Sequence, residues 1–147
     1  MCSSDLDDIV FGAWDPFRDN AYQAALKCGV LNKYEHIEPI RDFLESVEPM
    51  QAAFDQFYVK RLDGPNVKKG KTKLDLAETI REDIRRFKER NGCDRLVMIW
   101  AASTEIFMEE HEVHANLDTL RAAMEANDPH IPSSMLYAYA ALMEGVP

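Results

Sequence analysis

DRLVMIWAASTE, Asp94–Glu105, is the stretch whose reading decides the fold. A charged pair opens it, five large apolar residues follow, and it breaks into small and hydroxyl side chains. A short unbroken apolar run between polar flanks is the pattern of a strand buried on both faces, as in a parallel sheet covered by helices. Ala101, Ala102, Ser103 and Thr104 then fall at the carboxyl end of that strand. Ligands of open α/β sheets bind there, because the backbone can approach them closely. An ordinary strand-to-loop turn accounts for the same four residues, and spacing alone does not separate the two readings.

Immediately upstream, Thr72-x-x-Asp75 has the form of a capping box, with Asp75 a short substitute for the usual Glu or Gln. Leu76, Ile80, Ile84 and Phe87 line one face of the helix it opens, around Leu76–Arg90, and Asn91-Gly92 ends it. Such a helix is the crossover that delivers a parallel strand, in a right-handed βαβ arrangement. Its other strand is Asp8–Trp14, DIVFGAW, read as buried and parallel to Asp94–Trp100 in one sheet. Asp15-Pro16 ends that strand, since proline cannot continue a central ladder.

Between these elements, Asp19 or Asn20 caps a helix reaching about Cys28, with Gly29 past its end. Ile37, Ile40, Leu44 and Val47 mark another amphipathic helix, with Pro39 in its first turn and Pro49 beyond it. Met50–Lys71 has no sustained period and reads as a loop with one short helical turn. It carries Asp63-Gly64-Pro65 and a basic cluster, Lys68, Lys69, Lys71 and Lys73, which fits either a solvated loop or a phosphate contact. Downstream, Asn116 or Asp118 opens a helix through about Ala126. Ser133 or Ser134 caps a last one, SSMLYAYAALMEG, apolar nearly all round and therefore buried. That helix runs into Gly145-Val146-Pro147 with no closing strand, so the fold is expected to continue past it. Met1–Leu6, MCSSDL, is read as a non-native or disordered tail outside the fold; CSSDL is also the translation of a common sequencing-adapter end.

The 147 residues suit one domain, and an apolar content of 46% supports a core. A net charge of −9 argues against a nucleic-acid partner, which needs clustered Lys and Arg, while leaving an anionic small molecule open. No apolar run approaches the roughly 20 residues of a membrane span, and no signal peptide is read at the start. Three irregularly spaced cysteines suit reduced thiols in a cytoplasmic protein. Asp15, just past a strand end, stands where an acid accepts hydrogen bonds from ribose hydroxyls; an Asp starting a turn before proline is the other reading. His111 and His114 with Glu109, Glu110 and Glu112 lack metal-site spacing, so no metal is expected. Cys28 and Cys93 read as packing residues. No nucleophile elbow, P-loop or glycine-rich dinucleotide fingerprint is present in the sequence.

DIVFGAWD, followed by a capping Asn and an alanine-rich helix, resembles the GGWD segment of the inositol-3-phosphate synthase (myo-inositol-1-phosphate synthase) family. REDIRRFKERNGCDRLVMIWAASTE is similar to that family's helix-then-strand segment ending in WTANTE. PSSMLYAYAALMEGVP looks like its segment from PST to EG-x-P. The matches come in family order and span about Asp7 to Pro147. The resemblance implies part of an α/β, Rossmann-like NAD-binding domain over 7–147, incomplete at both ends. The implied enzyme is an NAD-dependent isomerase converting D-glucose 6-phosphate to 1D-myo-inositol 3-phosphate, a homotetramer when full-length.

By position, the resemblance places Asp15 on the family's NAD-contacting Asp, and Ala101, Ala102, Ser103 and Thr104 on the TANT positions. Ala52 and Ala53 fall on a less regular loop against the cofactor. Ala13 replaces a family Gly, Ala101 and Ser103 replace the Thr and Asn of TANT, and Ile106 stands where many members have Arg. The family's glycine-rich loop and lysine-bearing catalytic region have no counterpart here, so no catalytic residue is assigned and the chain alone is expected to be inactive. A generic NAD-dependent oxidoreductase domain and a non-catalytic acidic α/β interaction module are the alternative readings.

Overall fold

Helix α3, Lys73–Asn91, carries most of the core. The computed structural model describes residues 9–147, so the tail read over Met1–Leu6, Asp7 and the first residue of the first strand, Asp8, lie outside the described residues. α3 starts as the sequence specifies. Thr72 accepts from the Asp75 backbone N–H, the Asp75 carboxylate accepts from the Thr72 N–H, and Gly92 closes the far end in the left-handed conformation at φ 62°.

Five α-helices and one pair of short parallel strands are formed among the described residues. β1 is Trp14–Asp15, α1 is Ala21–Cys28, α2 is Arg41–Ser46 and β2 is Met50–Gln51. After α3 come α4, Leu117–Glu125, and α5, Ser133–Met143. Asn20 caps α1 and Asn116 caps α4, each in a reciprocal box, where the sequence allowed either of two caps. α3 packs on α5 and α4 around Ala77, Ile80, Ile84, Met124, Ile131, Leu136 and Ala140, all buried. Removing each of the larger side chains from water stabilises the fold by about 1.5–3 kcal/mol.

The sheet departs from expectation. β1 pairs in parallel with β2, Trp14 opposite Met50 and Asp15 opposite Gln51, and β2 comes from the stretch read as loop. Parallel neighbours need a crossover, and α1 and α2 provide it. Ile9–Ala13 precede β1 outside any ladder, and Phe11 is 59% exposed. Asp94–Trp100 forms no strand among the described residues; it is neither helical nor paired with residues 9–14. Leu96 and Met98 turn to the core while Val97 and Ile99 are 74% and 82% exposed. A continuous apolar run signals two covered faces, but among the described residues only one of them is covered. Its backbone tether is Met98 N–H donating to Pro147 O at 2.9 Å.

Two helix expectations are also corrected. Ile37–Val47 is not one helix but a π-type turn, Lys33–Ile37, a 3-10 turn, Glu38–Ile40, and only then α2. Pro39 lacks the N–H that a continuous helix would use, and its ring crowds the preceding turn. α5 takes its N-cap position at Pro132, with no cap from Ser133 or Ser134. The Glu105 carboxylate caps it from outside, accepting from Ser134 N–H at 3.0 Å and Ser134 Oγ at 2.5 Å.

The basic cluster is divided by its surroundings. Lys69 and Lys71 are exposed. Lys68 is only 9% exposed and pairs with Asp83 of α3, 4% exposed, at 2.6 Å. Lys73 Nζ donates to Tyr58 Oη at 2.6 Å and to the carbonyls of Asp128 and Ile131 at 2.6 and 2.8 Å. Burial holds the Lys73 ammonium below its ordinary pKa and, with Asp55 beside it, pushes the Tyr58 phenol up to about 12.

Candidate functional site

Three backbone segments line one cleft of about 500 Å³: Gly12–Phe17, Ala52–Phe54 with Met50, and Leu96–Ser103. That volume lies in the range of small-molecule and cofactor pockets. Six of the seven residues singled out in the sequence meet here: Asp15, Ala52, Ala53, Ala101, Ala102 and Ser103. Thr104 is exposed and does not line the cleft.

Asp15 ends β1 with an exposed side chain. Its Oδ1 accepts from Phe17 N–H at 2.8 Å, the turn bond expected of Asp before proline, and Oδ2 has no partner among the described residues. The turn reading and the ligand reading therefore use different oxygens of one carboxylate. Behind it, buried Asn66 donates from Nδ2 to the carbonyls of Asp15 at 2.9 Å and Met50 at 3.2 Å, tying the ends of both strands. Gly64 packs so closely on Pro16 that an added Cβ would lie 2.2 Å from the Pro16 carbonyl oxygen.

Ala52 and Ala53 are buried, and both of their backbone N–H groups are occupied. Ala52 N–H donates to Asn66 O at 3.0 Å, and Ala52 O accepts from Lys68 N–H at 2.8 Å. Ala53 N–H donates to the Tyr137 hydroxyl at 2.8 Å. Burial, opposed by that bond, raises the Tyr137 pKa, so the phenol stays neutral. These two alanines form wall rather than donors. At Ala101–Thr104 the opposite holds: among the described residues the four backbone N–H groups and both hydroxyls have no protein partner.

Trp14 joins the strands to the helices. Its Nε1–H donates to Asp83 Oδ2 at 2.9 Å, and its ring lies edge-on to Tyr137 at 5.4 Å, with Trp100 on the same Tyr137 at 5.3 Å. Asp83 also pairs with Arg86. Asn66, Asp83, Glu105 and Tyr137 were not singled out in the sequence. The available signal was weak: Asp83 interrupts the apolar side of α3 between Ile80, Ile84 and Phe87.

The histidines sit apart from the cleft. His111 stacks on His130 at 4.0 Å, His130 Nδ1 meets Asp128 at 2.8 Å, and His114 Nε2 meets His130 O at 2.8 Å. Cys28 and Cys93 are both free thiols. No helix among the described residues is long and apolar enough to cross a membrane.

With the cleft and its donors placed, comparison with known proteins decides the family. Residues 2–147 match an NAD-binding family model described as myo-inositol-1-phosphate synthase. The chain belongs to that family. It is 48% identical over 145 residues to inositol-3-phosphate synthase 1 of Bacteroides thetaiotaomicron, covering 98% of this chain and 34% of that protein. It is 35% identical to the inositol-3-phosphate synthase of Trypanosoma brucei brucei, covering 94% of this chain and 27% of the relative. The solved inositol-3-phosphate synthase of Caenorhabditis elegans superposes with a TM-score of 0.85 at 26% identity, over 93% of this chain and 27% of that one. The chain thus spans about a third or less of the relatives it matches. The Rossmann-like α/β assignment stands on this likeness, with a parallel pair and flanking helices in place.

NAD is the cofactor of the matched family model, and the residues present suit it. An unpartnered carboxylate oxygen at a strand end suits ribose hydroxyls, and unused backbone N–H groups across the same cleft suit a pyrophosphate or amide.

Proposed function

We propose that this chain forms one wall of the NAD cleft in an inositol-3-phosphate synthase, the isomerase that converts D-glucose 6-phosphate to 1D-myo-inositol 3-phosphate. The observation that carries the reading is the convergence of Asp15, Ala52–Ala53 and Ala101–Ser103 on one cleft in a chain of this family. NAD, held by Asp15 and Ala101–Ser103, would supply reversible hydride-transfer chemistry to the site.

Within this reading each segment has a different task. Asp15 Oδ2 accepts from ribose hydroxyls while Oδ1 keeps the turn. Ala101, Ala102 and Ser103 supply donors. Ala52 and Ala53 have small side chains that let a flat group lie against the wall, and Trp14, Trp100 and Phe54 keep water from it. No proton-accepting role is assigned to the described residues, and the ring-closing groups are placed in the remainder of the enzyme. Homotetramer assembly and a cytoplasmic location belong to the same proposal.

The test is a graft. Residues 2–147 replace the matched segment of the Bacteroides thetaiotaomicron relative, and NAD-dependent conversion of D-glucose 6-phosphate is assayed. An active graft is the expected outcome; a folded, tetrameric graft without activity overturns the reading. In the active graft Asp15→Asn keeps the turn and loses the charge. Hydrogen bonds to a charged group are worth about 1.5–3 kcal/mol, so the KM for NAD should rise about ten- to a hundredfold with little change in Tm. An unchanged KM with a lowered Tm would leave Asp15 as a turn residue only.

A further inference from the structure

We infer that Asp83, on the side of α3 away from solvent, is a positioning residue for the cofactor wall, acting through the Trp14 indole. The inference rests on the NAD reading above. One carboxylate meets three groups: the Trp14 Nε1–H at 2.9 Å, the Lys68 ammonium at 2.6 Å, and Arg86. Each of the first two leads to a different part of the wall. Trp14 is the residue before Asp15 in β1, so fixing its indole fixes the direction in which the Asp15 carboxylate leaves the strand. Lys68 N–H donates to Ala52 O, so holding the Lys68 side chain holds the segment that carries Ala52 and Ala53.

Neither anchor is replaceable by the ladder. β1 and β2 are two residues each, and ladders that short define position poorly. Asp83 refers both to α3, which is 19 residues long, capped at both ends and packed on α5. A buried ion pair is weak evidence for stability, since an apolar pair of similar volume often does as well. Its better-attested use is to fix one arrangement among several. Here the arrangement fixed is the relation of Asp15 to Ala52–Ala53 on neighbouring strands of the cleft wall.

Two double variants of the grafted enzyme isolate the effect. Asp83→Asn/Lys68→Met and Asp83→Leu/Lys68→Met both remove the buried charges and differ in whether an acceptor for the Trp14 indole remains. The Asn double is expected to keep the KM for NAD within about twofold of the graft. The Leu double should raise it about tenfold with kcat changed much less and Tm within a few degrees of the Asn double. Equal KM values in the two doubles overturn the positioning role, whether both match the graft or both rise. Should either double fail to fold, hydrogen–deuterium exchange of the unmutated graft decides. NAD must slow exchange in peptides covering 13–16 and 50–54 together, and protection of only one of them overturns the inference. Failure of the unmutated graft to use NAD would instead overturn the cofactor reading itself.

Discussion

At Ala52–Ala53 the backbone is committed to the fold, to Asn66, to Lys68 and to the Tyr137 hydroxyl, whereas at Ala101–Thr104 the backbone donors have no protein partner among the described residues. Ala52–Ala53 and Ala101–Ser103 face one cleft, and both segments are rich in small side chains. The first is stiffened because it follows β2 directly and Ala52 bridges in parallel to Val67, and the second is held only at its ends. Its tethers are Met98 to Pro147 on one side and, on the other, Glu105 to the start of α5 and Ile106 N–H to Tyr58 O. A wall can tolerate commitment to the fold. A donor array cannot, since a bond already made is lost to the ligand.

This contrast is breakable by mutation. The largest effect is expected from Lys68→Ala, which strands Asp83 without its buried partner. Breaking such a pair costs about 3–5 kcal/mol, read as a shift in the denaturant midpoint. Less than 1 kcal/mol would mean that water reaches the pair. Tyr137→Phe comes next, leaving the Ala53 N–H buried without an acceptor at a cost of about 1–3 kcal/mol.

Glu144 probes the tether of the second segment. Its carboxylate accepts from Arg81 at 2.7 Å and from Arg85 at 2.6 and 2.8 Å, and hydrogen bonding to Arg85 above all, with Arg81, lowers its pKa to about 2. A carboxyl with a depressed folded-state pKa contributes stability that is complete above the unfolded value, near 4.5, and is lost as pH falls through about 2. Glu144→Gln should therefore lower Tm at pH 7, with the gap to wild type closing between pH 4.5 and 2. A gap constant across that range would show that the arginines act on shape alone. The smallest effect belongs to Ser103→Ala/Thr104→Ala. Stability should change by no more than about 0.5 kcal/mol, while the KM of the graft for NAD rises severalfold. A loss of stability without a change in KM would erase the distinction between the two segments.

What was legible in the chain follows from range. α3 is specified by signals within its own length: Thr72 and Asp75 at the start, an apolar stripe, and Gly92 at the end. The same is true of α1 and α4. The sheet is a matter of partners far along the chain. Nothing local marks Met50–Gln51 as the neighbour of Trp14–Asp15, and the run Leu96–Trp100 has its second face uncovered among the described residues. Residue types carried the site further than patterns did: small and hydroxyl residues after an apolar run, and an acid before a proline, reached the cleft. Their supports did not show. Lys68 looks like its exposed neighbours Lys69 and Lys71 until Asp83 is placed beside it. Asn66 is an unremarkable loop residue until two strand ends converge on its amide.

Lys73 bears on the order in which these parts come together. Its ammonium binds three oxygens, and the farthest, on Ile131, is 58 residues along the chain. Closing a loop of that length costs roughly 3–4 kcal/mol in chain entropy before any contact compensates. One ammonium does not meet that cost alone, so the site is completed only as α3 docks with α4 and α5 and their apolar faces close. Until then Lys73 is an ordinary solvated amine at the start of a helix, where a cation is unfavourable to the helix dipole. The residue thus opposes its own helix in isolation and supports it in the assembled bundle, so its contribution to stability exists only once the α4–α5 connection is in place.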